Sequence, residues 1–265
     1  MKSTPTKLSL EQLNNHYILF RHGQSKANIA KIVVSRPENG IPSIGVGPPS
    51  PSSFSSEGKG WGLTEFGKEH VKNASRDLLN YLNFPSNNNQ NQEIDDDKLH
   101  NSFTNQFSSS EKFLIKIFSS PFIRTVETAK IILNELLIIN NNNLTIHPEI
   151  IIHDDLRERN FGIFELKSDR ESYSKVWKMD ESYTSENEYK EIQVETCEEV
   201  RSRMSNVIDE IEQQSISGDH LIAILVSHGD PLQILQTAFE NIDANLHRSL
   251  NHIEPAQWKF FGRKN

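Results

Sequence analysis

Three short apolar runs end in turn signals along this chain: His16 to Arg21, Phe113 to Ser119 and Leu221 to Ser227. Each reads as a short buried strand. Between them the apolar period changes to that of helices. Thr64 can cap a helix whose Phe66, Val71, Leu78, Leu79 and Leu82 form one apolar stripe. Ser120 and Pro121 supply a cap and first turn for a helix running towards Ile139. Glu195 to about Gln214 carries Val200, Met204, Val207, Ile208 and Ile211 at helical spacing, which predicts a helix covering the sheet. After the last strand, Asp230 as N-cap and Pro231 as first helical residue lead into Leu232, Ile234, Leu235 and Phe239. Strands alternating with helices predict an α/β fold, with a mostly parallel central sheet and helices on both faces.

Polar stretches interrupt this alternation. Residues 35–62 are irregular and include the Pro/Ser-rich run from Gly47 to Ser56, and residues 86–110 are dominated by Asn, Gln, Ser and Asp. The second is too poor in apolar residues to order itself and reads as a disordered surface insertion, not a domain boundary. Asn140 to Asn143 is a shorter insertion of the same kind. The expectation is one catalytic domain over residues 1–265.

A net charge of −8 disfavours a general nucleic-acid binder, which normally shows a basic face. It does not exclude an anionic substrate, because a pocket lined by arginines sets its own local field. The single Cys197 rules out an internal disulfide, and no apolar run approaches membrane-spanning length. With no stretch near the N-terminus resembling a secretory signal, a cytoplasmic location is the default expectation.

The chemistry gathers where the strands end. His22-Gly23 follows the first strand directly and His228-Gly229 the last, and the carboxyl edge of a parallel sheet is where ligands bind. Taken singly, each His-Gly pair has a bland reading as a strand end and turn. Arg21 beside His22, and a helix N-terminus beside His228 and Gly229, point instead to an anion. Arg124 falls early on the helix after the middle strand. It could form a surface ion pair with Glu127, three residues on, or reach the same edge and hold a phosphate with its planar fork. Two arginines and two histidines at one edge would repel unless an anion joined them.

In order, Arg21-His22-Gly23-x-Ser25-x-x-Asn28, Ser119-Ser120-Pro121-x-x-Arg124, Leu156-x-Glu158-Arg159-x-Phe161-Gly162 and Ser227-His228-Gly229-Asp230 resemble the four signatures of the histidine phosphatase superfamily. The nearest branch is the cofactor-dependent phosphoglycerate mutase-like one, with its three-layer fold. The resemblance implies that His22 is the nucleophile and becomes a phosphohistidine, and that Arg21, Arg124 and His228 clamp the phosphate. Asn28 and Gly229 contribute further pocket contacts, and Glu158 is the proton donor. The rival reading of residues 156–162 is a solvated loop of alternating charge, and Glu165 is the rival proton donor. The stretch from Phe161 to Lys178 reads equally as a lid or pocket wall and as a packed connection with an aromatic plug. Lys167 is a further cation there.

Gln24 and Ala27 stand where the mutases usually carry Glu and Trp, so the pocket is expected to differ from that of a glycolytic mutase. The lead expectation is therefore a metal-independent phosphomonoesterase acting on a small phosphorylated metabolite, with no cofactor. Phosphoglycerate mutase chemistry, with 2,3-bisphosphoglycerate as cofactor, is the alternative, and a non-catalytic scaffold binding a phosphorylated partner is the second. A metal site built from His22, His228, Asp230 and Glu158 is disfavoured by the neighbouring Arg21 and by the ligand spacing. No glycine loop for a nucleotide or dinucleotide cofactor follows the first strand.

Overall fold

Alternation along the strands decides which helices cover which face. In the computed structural model, which describes residues 8, 13–41, 61–82, 111–138, 143–214 and 220–262, β1 (His16–Arg21) sends Tyr17 and Leu19 to one side and Ile18 and Phe20 to the other, all fully buried. β4 (His220–Ser227) does the same with Ala223 and Leu225 against Ile222, Ile224 and Val226. Strands covered on both faces are apolar at nearly every position, which is why these runs were legible in the sequence.

The sheet has five strands in the order β3-β2-β4-β1-β5. β2 (Phe113–Ser119) pairs parallel to both β4 and β3 (Leu144–Ile152), and β1 pairs parallel to β4. Only β5 (Trp258–Phe261) is antiparallel, closing the edge beside β1. This is the expected three-layer, mostly parallel α/β arrangement.

Two short helices follow β1, α1 (Lys26–Ala30) and α2 (Pro37–Gly40). One face of the sheet is covered by α3 (Glu65–Leu82) and α4 (Ile123–Leu137), through Val71, Leu78, Leu82, Ala129, Ile132 and Leu136. The expected Phe66 is not part of that stripe: it is 65% exposed, its ring tilted against that of His70 at the helix start. The other face is covered by α7 (Cys197–Gln214) and α8 (Gly229–Glu240). Between β3 and α7 lie α5 (Asp169–Glu181) and α6 (Glu186–Ile192), packed around Phe161, Val176 and Tyr189 as a smaller core of their own. The stretch from Phe161 to Lys178 is thus a packed wall.

The caps depart from expectation in two places. At α4 the N-cap is Phe122, because Ser120 turns its hydroxyl to His228. At α8 the N-cap is His228 itself, and Asp230 and Pro231 lie inside the first turn. Thr64 does cap α3, its hydroxyl accepting from Gly67 N at 2.9 Å. The insertion at 86–110, the Pro/Ser-rich run and Asn140 to Asn142 lie outside the described residues. Val34 to Ile41 fold against the site described next. Among the described residues, no helix is long and apolar enough to cross a membrane.

Candidate active site

β1, β2 and β4 end side by side, and the first residues beyond them converge. His22 and His228 meet edge to face with ring centroids 5.2 Å apart, and both are buried. Arg124, on the first turn of α4 and also buried, lies between them: its Nε donates to His22 Nε2 at 3.1 Å and to His228 Nδ1 at 3.2 Å.

These contacts fix both tautomers. His22 Nδ1 sits 2.7 Å from the Gly23 carbonyl, an acceptor only, so its proton is on Nδ1 and Nε2 carries the lone pair. His228 Nδ1 accepts from Arg124, so its proton is on Nε2, 2.9 Å from Ser120 Oγ. Burial, then the charges of Arg124 and Arg21, hold the His22 pKa well below 6.5. His228 is depressed in the same direction, again by burial first and Arg124 second. Two neutral imidazoles therefore meet at this sheet edge, one with an unprotonated Nε2.

Arg124 Nη2 donates to the Val34 carbonyl at 2.9 Å and approaches Glu158 Oε2 at 3.5 Å. Its Nη1 is buried with no hydrogen-bond partner, and so is Nε of Arg21. Two buried guanidinium donors left unpaired, on arginines whose charges both act on His22, are costly unless an anionic ligand uses them. The alternative reading of Arg124, a surface ion pair with Glu127, does not hold: Arg124 is buried between the histidines. Glu127 Oε2 instead accepts from Leu63 N at the entry to α3.

Glu158 comes from the loop after β3. Its Oε1 accepts from Arg159 N at 3.0 Å and its Oε2 is 3.6 Å from His228 Nδ1. Burial raises its pKa to about 7, outweighing the Arg124 charge that pulls it down. A carboxyl poised there can give and take a proton near neutrality. The solvated-loop reading fails at this point, because Glu158 and Arg159 are both buried. Arg159 is held by a bidentate pair with Asp180, at 2.8 and 2.9 Å, and by Asp230 at 3.1 Å. This buried pairing ties the Glu158 loop to the first turn of α8. Glu165, the rival donor, is occupied elsewhere: it accepts from Ser35 Oγ at 2.6 Å and Asn39 Nδ2 at 2.9 Å.

The remaining expected residues fall as follows. Asn28 is exposed, with its Oδ1 accepting from Ser25 N in a reciprocal cap on α1, so it shapes the loop after His22. Gly229 opens α8 against Arg21, where a Cβ would come within 2.9 Å of Cζ. Lys167 is exposed, its ammonium 6.0 Å from the Phe164 ring centroid. Asp230 turns to Arg159 and to Trp177 Nε1, at 2.8 Å, and Arg124 stands between the histidines and Glu158, so these groups do not assemble as metal ligands. Sequence reasoning missed Ser120 as the partner of His228, although Ser120 lay in a quoted motif. It also missed His252, which binds Arg21 from a loop with no periodicity to mark it.

The sequence profile of the histidine phosphatase superfamily (branch 1) matches residues 104–264, well over half of the chain. The chain belongs to this superfamily. It is by that membership a phosphoryl-transferring hydrolase. The matched span includes Arg124, Glu158 and His228, whereas Arg21 and His22 precede it. No curated protein sequence matches the chain.

Solved structures share the fold at low identity. A mycobacterial glucosyl-3-phosphoglycerate phosphatase complexed with VO3 superposes with a TM-score of 0.57 at 14% identity, over 93% of this chain and 90% of that one. YhfR from Bacillus stearothermophilus gives 0.56 at 16%, over 93% and 90%. A phosphoserine phosphatase from Entamoeba histolytica, in complex with 3-phosphoglyceric acid, gives 0.54 at 12%, over 93% and 89%.

Proposed function

We propose that the protein hydrolyses a small phosphomonoester through a phosphohistidine at His22, without a metal or organic cofactor. The observation that carries this reading is the state of His22. It is buried and neutral, with Nδ1 tied to the Gly23 carbonyl and Nε2 turned to Arg124, beside the unpaired donors of Arg124 and Arg21.

In the first step His22 Nε2 attacks phosphorus and the ester P–O bond breaks. The three equatorial oxygens, which gather charge, are met by Arg21 and Arg124. A bound phosphate dianion also raises the proton affinity of His228, so that its Nδ1 becomes a donor to the phosphoryl group. Protonated Glu158 gives its proton to the departing alkoxide. In the second step Glu158, now a carboxylate, takes a proton from the water that attacks the phosphoenzyme, and the P–N bond breaks to release phosphate and restore both groups. Two cationic side chains supply the charge stabilisation that a metal provides in other phosphatases.

The test is phosphate release under EDTA across a panel of phosphomonoesters, with acid-labile phosphoenzyme trapped in parallel from wild type and His22→Ala. The panel includes phosphoserine, 3-phosphoglycerate and glucosyl-3-phosphoglycerate, which the names of the structural neighbours mention, and 2-phosphoglycerate, which the mutase alternative requires. The expected result is phosphate release by wild type and a loss of at least about 10³-fold, with no trapped intermediate, in His22→Ala. Interconversion of the phosphoglycerates without net release would replace this reading with the mutase one. Binding of phosphorylated ligands with neither turnover nor phosphoenzyme would replace it with a scaffold.

A further inference from the structure

Arg21 is held by residues that lie outside all four motifs. Its Nη1 donates to His252 Nε2 at 2.6 Å and to the Ile253 carbonyl at 3.0 Å. A guanidinium has donors only, so His252 Nε2 must be the acceptor and the imidazole proton must sit on Nδ1. From there it is donated to Gln233 Oε1, with Nδ1 and Oε1 3.3 Å apart. The same oxygen accepts from Arg248 Nη1, while Gln233 Nε2 donates to the Leu250 carbonyl at 2.7 Å. Bound at both ends, the carboxamide can present only its oxygen to His252, and the imidazole can present only its lone pair to Arg21. Gly229 closes the far side, since a Cβ there would stand 2.9 Å from Arg21 Cζ. This seat engages one edge and one face of the guanidinium and leaves Nε buried and unpaired.

We propose that His252 is a positioning residue for phosphate binding: its Nε2, oriented by Gln233, holds the Arg21 guanidinium in the one orientation that presents Nε to the phosphoryl group. The proposal rests on the reading of Arg21 as a phosphate clamp. His252 touches no reacting atom and acts through Arg21 alone. Without it, Arg21 keeps only the Ile253 carbonyl, and its rotamer freedom has to be lost on binding rather than on folding.

Because His252 acts through Arg21, the experiment is a double-mutant cycle on the full chain. Inorganic phosphate affinity is read by titration calorimetry, and KM and kcat on p-nitrophenyl phosphate, for wild type, His252→Leu, His252→Gln, Arg21→Ala and Arg21→Ala combined with His252→Leu. His252→Leu is expected to weaken phosphate binding about 10-fold, the worth of a charge-assisted hydrogen bond, and to raise KM in step. His252→Gln, whose side-chain oxygen can accept from Nη1, recovers most of that loss. In the Arg21→Ala background, His252→Leu changes the affinity less than about two-fold.

Equal losses in both backgrounds, or a glutamine variant no better than leucine, would overturn the proposal. Should the leucine variant not fold, His252→Ala and Gln233→Met in the same two backgrounds carry the comparison. Failure of wild type to bind phosphate would overturn the reading of Arg21 together with that of His252. Binding with additive losses would overturn the role of His252 alone.

Discussion

Burial makes the charged form of Glu158 costly. Burial holds its pKa near 7 although Arg124 is 3.5 Å away, so close to neutrality both of its forms are populated. As the proposed acid it must start protonated, so kcat for alkyl phosphates should fall as pH rises above about 7. His22 must start neutral, and its depressed pKa puts the loss of that form well below pH 6.5. Glu158→Gln should lower kcat for an alkyl phosphate about 10²- to 10⁴-fold and abolish the alkaline limb. With p-nitrophenyl phosphate, whose leaving group needs no proton, kcat/KM, which reports the phosphorylation step, should fall much less than with the alkyl phosphate. An equal loss of kcat/KM on both substrates would remove Glu158 from the role of acid. That His22, Arg124, Glu158 and His228 gather was legible because each falls in one of the four motifs, three of them just beyond a strand that the sequence predicts. The protonation states of the same residues were not. They arise from burial and from contacts between residues about a hundred positions apart, such as Arg124 with His22 and His228.

At the scale of elements, the loop after β1 and the helix α3 meet glycine to glycine. A Cβ on Gly67 would lie 2.1 Å from the Gln24 carbonyl oxygen, and one on Gly23 would lie 2.7 Å from the Gly67 oxygen. Replacing an interior helical glycine by alanine ordinarily stabilises a helix by up to about 1 kcal/mol. Here the clash is with backbone, which cannot rotate away, so the sign should reverse. Gly67→Ala is expected to cost about 1–3 kcal/mol in denaturant unfolding and to lower kcat, because the Gln24 backbone it would push aside is bonded directly to the Gly23 carbonyl that orients His22. Asn73→Ala, exposed on the same helix, serves as the control and should leave both unchanged. Elements of this kind were read well from the sequence where burial covers both faces, as in β2 and β4, and poorly where an edge intervenes. β3 is partly exposed along most of its length and β5 has four residues at the sheet edge, so neither shows a clean period. The caps misled for a different reason: Ser120 and Asp230 have the right side chains for N-capping, but tertiary partners, His228 for one and Arg159 with Trp177 for the other, claim them.

For the molecule as a whole, the pocket's electrostatics become a dependence of stability on pH. Folding holds His22 and His228 neutral, and depresses His16 and His252 to about 4, chiefly through burial. The unfolded chain binds protons at these four histidines near pH 6.5 while the folded chain does not, so acidification below 6.5 favours unfolding. Each such histidine contributes a slope of about 1.4 kcal/mol per pH unit until its folded form titrates. Glu158 acts in the opposite sense. Its folded pKa of about 7 lies above the ordinary 4.5, so its contribution is present in full below pH 4.5 and is lost as pH rises through 7. Between pH 6.5 and 4.5 the histidines outnumber the single glutamate, and the thermal midpoint should fall on acidification. Glu158→Gln removes only the opposing contribution, so the fall in that variant should be steeper than in wild type. The comparison is a pair of calorimetric melting series from pH 7.5 to 5. Parallel curves would mean that Glu158 titrates at its ordinary value in the folded protein, and with that the proton donor at neutral pH would be gone.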